Sequence, residues 1–547
     1  MMMPSFNMKN SLPIILVILI SVFYVPFKIQ VHTWESYYYA GSLDSFIPPE
    51  DMKPAACDLP IPYSSLLCLY YTQHPLLHYA IFFLRDYLNG SMSSIQIVQY
   101  ANLVFAILAY FIFYYLALHI SQNRLNAFLL TLCLSWTDVY WYQSMSGEVY
   151  MAPFLFILLS FYCLTKWYDT QSIQSIGLIG SALSLGIAVS FHLLSSLFYI
   201  VPCYMIWHAR KKNPSANYFL HLTIFISTGS VFVFLVYGLP YIFWIPMSSF
   251  TVYLKLLCLH TQNWGFWQLP APYLPFELIH AIILGLKHFV YAIIFGVGWM
   301  PCIGRCFVLI CSIGAIVIYF RDPFHSAIET ALLLWIFVMF LVITVIINVP
   351  HVNDYWSFIA FSGVLFCFLQ LRKICRPLIL KWILIIGCCF LAPINFMQDI
   401  YPKSNIKQSD FFIISSQDDL MQSYHSTLFV GNSWLLIEAW YLHNCHPNTA
   451  IRFQRSPDQY KDYTQFLNDL SEKLNQLSQG HDPILILVES AGNEHIQMIK
   501  KLQAMGYQTK YIFSVDKQYN HKQYKTAMGL IDKPVIIKLY GFEILTN

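Results

Sequence analysis

From Leu12 to about residue 396 the chain keeps repeating one pattern: an apolar run of about 16 to 24 residues, then a short polar break. A run of about 20 apolar residues spans a hydrocarbon layer as an α-helix. No other open chain conformation satisfies its backbone hydrogen bonds there. The pattern therefore dictates an all-α polytopic membrane bundle. Crossings are expected at 12–27, 95–118, 125–142, 149–166, 176–190, 193–208, 217–237, 300–320, 327–348, 355–371 and 378–396, eleven in all. Composition agrees, since 57% of the chain is hydrophobic and only 11% charged, whereas a soluble domain is about one-quarter charged. The N-terminal run carries no small-x-small cleavage site and reads as a first helix that is retained.

Charge orders these crossings. Arg124, Lys166, Arg210-Lys211-Lys212, Arg321, Arg372-Lys373 and Arg376 fall in alternate breaks. Basic residues favour cytoplasmic loops, so these breaks face the cytoplasm and the C-terminal tail faces outward. The segment 276–299, with His280, Lys287 and His288, breaks this charge pattern if counted as a further crossing, and the preferred reading is an interfacial or re-entrant helix on the outer side. The outer side then holds the long loop 28–94, the tight connection 137–148 and the loop 238–275.

After residue 397 the apolar runs stop. Strand-like segments Leu428–Gly431, Ala450–Phe453, Ile484–Glu489, Thr509–Phe513 and Val535–Tyr540 alternate with helical stretches near 434–443, 459–478 and 493–505. That alternation predicts a soluble α/β domain at 397–547, beside a membrane domain at 1–396. GxGxxG and GxxxxGK[ST] are absent, so dinucleotide and P-loop chemistry are unsupported. A net charge of +3 without basic blocks argues against nucleic acid. The fourteen cysteines include no CxxC pair with a matching partner, which argues against zinc. Cys57 and Cys68 share one outer loop and form a disulfide only if that compartment is oxidising.

Several ionisable residues sit where outer breaks meet apolar runs. Glu35, in WESYYYAGSL, is either a solvated carboxylate in an aromatic belt or a partly desolvated general base. His74, in QHPLLHY, precedes Pro75, which suits the first turn of an amphipathic helix ending in Arg85-Asp86. It either packs at the interface or aims with the helix N-terminus at an anion. Glu148, in SGEVYMAPF, stands in the first turn of the fourth helix, as a cap or as a functional carboxylate. His192 splits 176–208 into two halves, as a packing residue or a cavity group. His351, Asp354 and Tyr355, in VPHVNDYWSF, form either a polar turn or a third rim element. Under one topology all of them fall at outer helix ends, which describes a cavity at the lipid–water boundary.

WESYYYAGSL, QHPLLHY and SGEVYMAPF follow the order and spacing of the C-type membrane glycosyltransferases, which include the protein O-mannosyltransferases and lipid A aminoarabinose transferases. The chain resembles that superfamily in topology over its first 400 residues and in motifs to about residue 195. The resemblance implies a polyprenyl-phosphate-sugar donor in the bilayer and an acceptor lipid, glycan or protein at the outer face. Glu35 would act as the base in an inverting transfer, with Asp44 as fallback, because family members carry a further Asp where this chain has His32 and Trp34. Glu148 would bind the acceptor, or a divalent cation (Mg or Mn) where one is used. No metal site is read from the sequence itself. His74, Arg85 and Lys287 would face the leaving phosphate, and His192 and His351 would line the cavity. The implied location is a bacterial inner membrane, or its endoplasmic reticulum equivalent. The rivals are a transporter, disfavoured by the lack of internal repeats, and a non-catalytic membrane scaffold.

Overall fold

The computed structural model describes residues 8–28, 75–87, 92, 94–170, 176–212, 217–239, 275–296, 298–346, 353–405, 424, 426–431, 450–455, 463–477, 483–490, 494–519 and 535–545. The chain divides into two compact units, residues 1–29 with 69–404 and residues 30–68 with 405–547.

The first unit is a helical bundle. Its helices are α1 (Met8–Tyr24), α2 (Pro75–Tyr87), α3 (Ser94–Ser121), α4 (Arg124–Ser135), α5 (Asp138–Met145), α6 (Met151–Thr170), α7 (Ile176–Phe191), α8 (Ile200–Lys212), α9 (Tyr218–Val233), α10 (Pro275–Ile293), α11 (Trp299–Arg321), α12 (Ala327–Leu341), α13 (Ser357–Ile374) and α14 (Pro377–Asn395). Seven described helices are long and apolar enough to cross a membrane, and four shorter apolar ones accompany them at Leu12–Phe27, Arg124–Ser135, Ile176–Phe191 and Leu278–Ile293. The chain is thus a multi-pass membrane protein.

Local chemistry sets the helix starts. The Asn123 side chain accepts from the Leu125 and Asn126 amides at 3.0 and 3.1 Å and opens α4. Ser326 and Glu329 form a reciprocal capping box at the start of α12. Pro75 opens α2, as its fixed φ and missing N–H favour. Close approach of α7 and α9 depends on two glycines: a Cβ on Gly186 would lie 2.3 Å from the Gly229 carbonyl oxygen. Small residues play this role between membrane helices, where burial from water drives nothing.

Four expectations change. The segment 125–142 is not one helix. It ends at Ser135 and restarts as α5 at Asp138. The segment 193–208 begins as a 3-10 turn, Leu193–Tyr199, before α8. The final apolar helix does not stop at 396 but passes through a π turn, Phe396–Ile400, into Tyr401–Asn405. Glu148 lies in the loop before α6, not in a helical first turn, because α6 begins at Met151.

The basic helix ends gather at one end of the bundle. Arg372 of α13 donates to the Ile120 carbonyl at 3.2 Å. Lys166 reaches His119 at 3.1 Å, and the Tyr168 hydroxyl reaches His208 at 2.7 Å. Lys373 pairs with Asp322 at 2.7 Å and Glu329 at 2.8 Å, tying α11, α12 and α13 together. One-sided placement of these groups is what the charge pattern requires.

The second unit contains a five-stranded sheet of order β2-β1-β3-β5-β4, with β1 Ser426–Gly431, β2 Ala450–Arg455, β3 Ile484–Ser490, β4 Gln508–Tyr519 and β5 Val535–Leu545. Strands β1, β2 and β3 are parallel, and β5 runs antiparallel to both β3 and β4. Helices α15 (Tyr463–Leu477) and α16 (Glu494–Ala504) bury Phe466, Leu470, Met498 and Leu502 against Leu428, Ile486 and Phe542. All five expected strands are present. The expected helix near 434–443 lies outside the described residues.

Candidate functional site

The end of the bundle opposite the basic cluster holds the polar groups. Three helix breaks meet there: the loop 146–150, the turn at His192, and the 3-10 turn Asn353–Trp356. The Tyr150 ring lies 5.2 Å from the His192 ring and 6.0 Å, at a right angle, from the Tyr355 ring. Phe358 packs edge-on to His192 at 5.4 Å. The structure thus brings together the Glu148 loop, His192 and Tyr355, which are far apart in sequence.

Glu148 is fully buried. Its loop is clamped from α3: the Asn102 amide donates to the Ser146 carbonyl at 3.0 Å and to the Glu148 carbonyl at 2.5 Å. One turn earlier, the Gln99 amide donates to the Met145 carbonyl at 2.9 Å. Carbonyls at the end of α5 lack helical partners, and these two side chains supply them. His192 caps the following 3-10 turn, its Nδ1 accepting from the Leu194 amide at 3.1 Å. An accepting Nδ1 carries no proton, so this imidazole is neutral. The clamp from α3 holds the backbone of the Glu148 loop, and Tyr150 of that loop packs against the neutral His192 imidazole.

A second polar group lies at the same end. Asn395 joins three helix ends: its amide donates to the Trp136 and Ile293 carbonyls, both at 2.8 Å, while its oxygen accepts from the Phe295 amide at 2.9 Å. Beyond it, Lys403 pairs with Asp399 at 2.7 Å and stands over the Tyr142 ring at 4.3 Å. Asp138, at the start of α5, is buried as well. All three charged residues are at most 4% exposed. Gln99, Asn102, Asp138, Asn395, Asp399 and Lys403 were not picked out as site residues from sequence.

Glu35, Asp44, His74 and His351, and with them Cys57 and Cys68, lie outside the described residues. Arg85 falls in α2 and Asp354 in the 3-10 turn before α13, and their side chains also lie outside the described part. Lys287 is exposed on α10, whereas His288 is buried. No group of three or more His, Cys, Asp or Glu residues able to hold a metal ion occurs among the described residues.

Residues 91–217, which contain the Glu148 loop and His192, match the family model described as the protein O-mannosyl-transferase TMEM260 N-terminal domain. The chain resembles the C-type membrane glycosyltransferases. ArnT from Cupriavidus metallidurans, solved bound to undecaprenyl phosphate, aligns over 98% of both chains with a TM-score of 0.50 and 10% identity. At that identity the likeness is one of fold. The mycobacterial arabinofuranosyltransferase AftD aligns over all of this chain and 40% of its own, with a TM-score of 0.43 and 11% identity. No curated protein matches the sequence.

Proposed function

We propose that this protein is a membrane glycosyltransferase that moves a sugar from a polyprenyl-phosphate-linked donor to a hydroxyl of a lipid, glycan or protein acceptor. The observation that carries this is the convergence of the Glu148 loop, His192 and Tyr355 at the end of the bundle opposite the basic cluster, the first two of them inside the segment matched to the O-mannosyl-transferase model. The fold shared with ArnT supports the same reading, as does that structure's bound undecaprenyl phosphate.

In this account Glu35 takes the acceptor proton as the hydroxyl attacks the anomeric carbon from the face opposite the phosphate, with inversion. Glu148 orients the acceptor, or a divalent cation where one is used. His192, Tyr355, His351 and Asp354 line the sugar cavity, and His74 and Arg85 face the phosphate leaving group. Anionic charge developing there requires fixed donors or cations. The site opens on the outer face of a bacterial inner membrane or its equivalent, and the C-terminal α/β domain lies on that face. Polar groups at one rim, rather than at the bilayer midplane, favour this enzyme over a transporter.

The test is transfer of radiolabelled sugar from a panel of polyprenyl-phosphate sugars to membrane extract by purified protein in lipid. Transfer by wild type that Glu35→Gln and Glu148→Gln both lose supports the proposal. Transfer that survives both substitutions contradicts these site roles.

A further inference from the structure

Two thiols meet inside the bundle where α4 packs against α14. The Cys133 and Cys388 sulfurs lie 3.3 Å apart, and both side chains are buried. The approach is reciprocal. The Cys133 thiol donates to the Leu384 carbonyl, one turn before Cys388, and the Cys388 thiol donates to the Leu129 carbonyl, one turn before Cys133, both at 3.6 Å. With both protons directed at carbonyls, no S–H bond accounts for the sulfur–sulfur contact. The Cys133 sulfur also lies beside Gly387, where a Cβ would only just touch it at 3.5 Å, so α14 presents little bulk against it. Among the described cysteines no other two sulfurs make such a contact. Cys133 also lines a cavity of about 120 Å³, to which Thr137 and Ser312 add two hydroxyls.

A disulfide is about 2.05 Å long, so these sulfurs need to close by only about 1.2 Å, which small rotations of the two side chains supply. We propose that Cys133 and Cys388 are a redox modification site, converted by a peroxide into a reversible disulfide that staples α4 to α14. A molecule of water's size needs roughly 10–15 Å³, and hydrogen peroxide is little larger, so the space beside Cys133 admits it. The Cys133 sulfur attacks one peroxide oxygen, the O–O bond breaks, and water leaves with the thiol proton as a sulfenic acid forms. The Cys388 sulfur then makes the S–S bond by displacing that hydroxyl, which takes the second proton and leaves as water. In sum two thiols and one peroxide give one disulfide and two waters; the sulfurs lose two electrons and the oxygens gain them. Apolar burial slows each step and excludes oxidants too large for the cavity. Cys388 lies about two turns before Asn395, whose bond to the Trp136 carbonyl already ties α14 to the end of α4, so the staple makes that junction covalent. The proposal does not rest on glycosyl transfer.

The test maps disulfides in the purified full-length protein in lipid. Exposed thiols, among them Cys302, Cys306 and Cys389, are first capped with a maleimide. Hydrogen peroxide is added, catalase ends the reaction, and the remaining thiols are capped in denaturant with a maleimide of different mass. Non-reducing digestion and mass spectrometry follow. The expected result is a peptide pair joining Cys133 to Cys388 in at least half of the protein, lost on reduction with dithiothreitol and absent from Cys133→Ser and Cys388→Ser. The wild-type map is decisive even where a variant fails to fold. A smaller share of the bridge, recovery of the two residues as capped thiols or sulfinic and sulfonic acids, or a bridge from either to another cysteine overturns the proposal.

Discussion

Lys403→Met should be among the most destabilising single changes in the membrane unit. The ammonium contacts both Asp399 oxygens, at 2.7 and 2.8 Å, with side chains only 5% and 1% exposed. At an effective dielectric near 20 the gross attraction at that distance is about 6 kcal/mol. Most of it offsets the desolvation of the two ions, so the intact pair adds little net stability. Removing one partner is different, because the buried Asp399 carboxylate then stays charged without a counter-ion or must bind a proton. Truncations of this kind cost about 3–5 kcal/mol, two to four powers of ten in the folding equilibrium. The double variant Asp399→Asn/Lys403→Met should recover more than half of the loss. Denaturant unfolding of wild type and the two variants in one detergent measures these differences. Equal destabilisation in the single Lys403 and double variants, or none in Lys403→Met, would refute the charge accounting.

Three further outcomes are expected. Asn102→Leu removes both donors to the Ser146 and Glu148 carbonyls; it should cost about 1–3 kcal/mol of stability and lower kcat for transfer more than it raises KM. Gly186→Val drives a methyl into the Gly229 carbonyl, and differential scanning fluorimetry should register a loss of at least about 1–3 kcal/mol, whereas Gly314→Ala, with nothing nearby, should not. The Lys373 hydrogen bond holds Asp322 below the usual carboxylate range. A depressed carboxylate stabilises the fold above its unfolded pKa, and that support is lost as pH falls through the folded value. The unfolding temperature of wild type should therefore drop further below pH 4 than that of Lys373→Met.

The membrane fold was largely legible because hydrocarbon thickness imposes a length that sequence shows directly, and the five strands because their β-rich runs sit between polar stretches. Breaks inside apolar segments were not. Trp136-Thr137 ends α4 without a Pro or Gly, its freed carbonyl being met by Asn395 from a helix 259 residues away. Likewise Asn102 and Gln99 are single polar residues in an apolar run, and only the loop they clamp gives them meaning. Glu148 was legible by type and depth, but its placement outside α6 depends on that clamp. Asp399 and Lys403 were hidden because the polarity after residue 396 reads as the start of a tail, while the helix continues as a π turn. His192 and Tyr355 were each identified at a break, and their meeting through Tyr150 is a tertiary fact.

The most direct test of the account is kcat for sugar transfer by Glu148→Gln, in protein whose unfolding temperature matches that of wild type. The substitution keeps size and shape, replaces one carboxyl oxygen by an NH2 donor and removes the capacity to take a proton. General acid–base and orienting roles are worth about 10²–10⁴ in rate, so a fall of at least a hundredfold with donor binding retained is the predicted result. A kcat within threefold of wild type would contradict the claim that chemistry occurs at this end of the bundle.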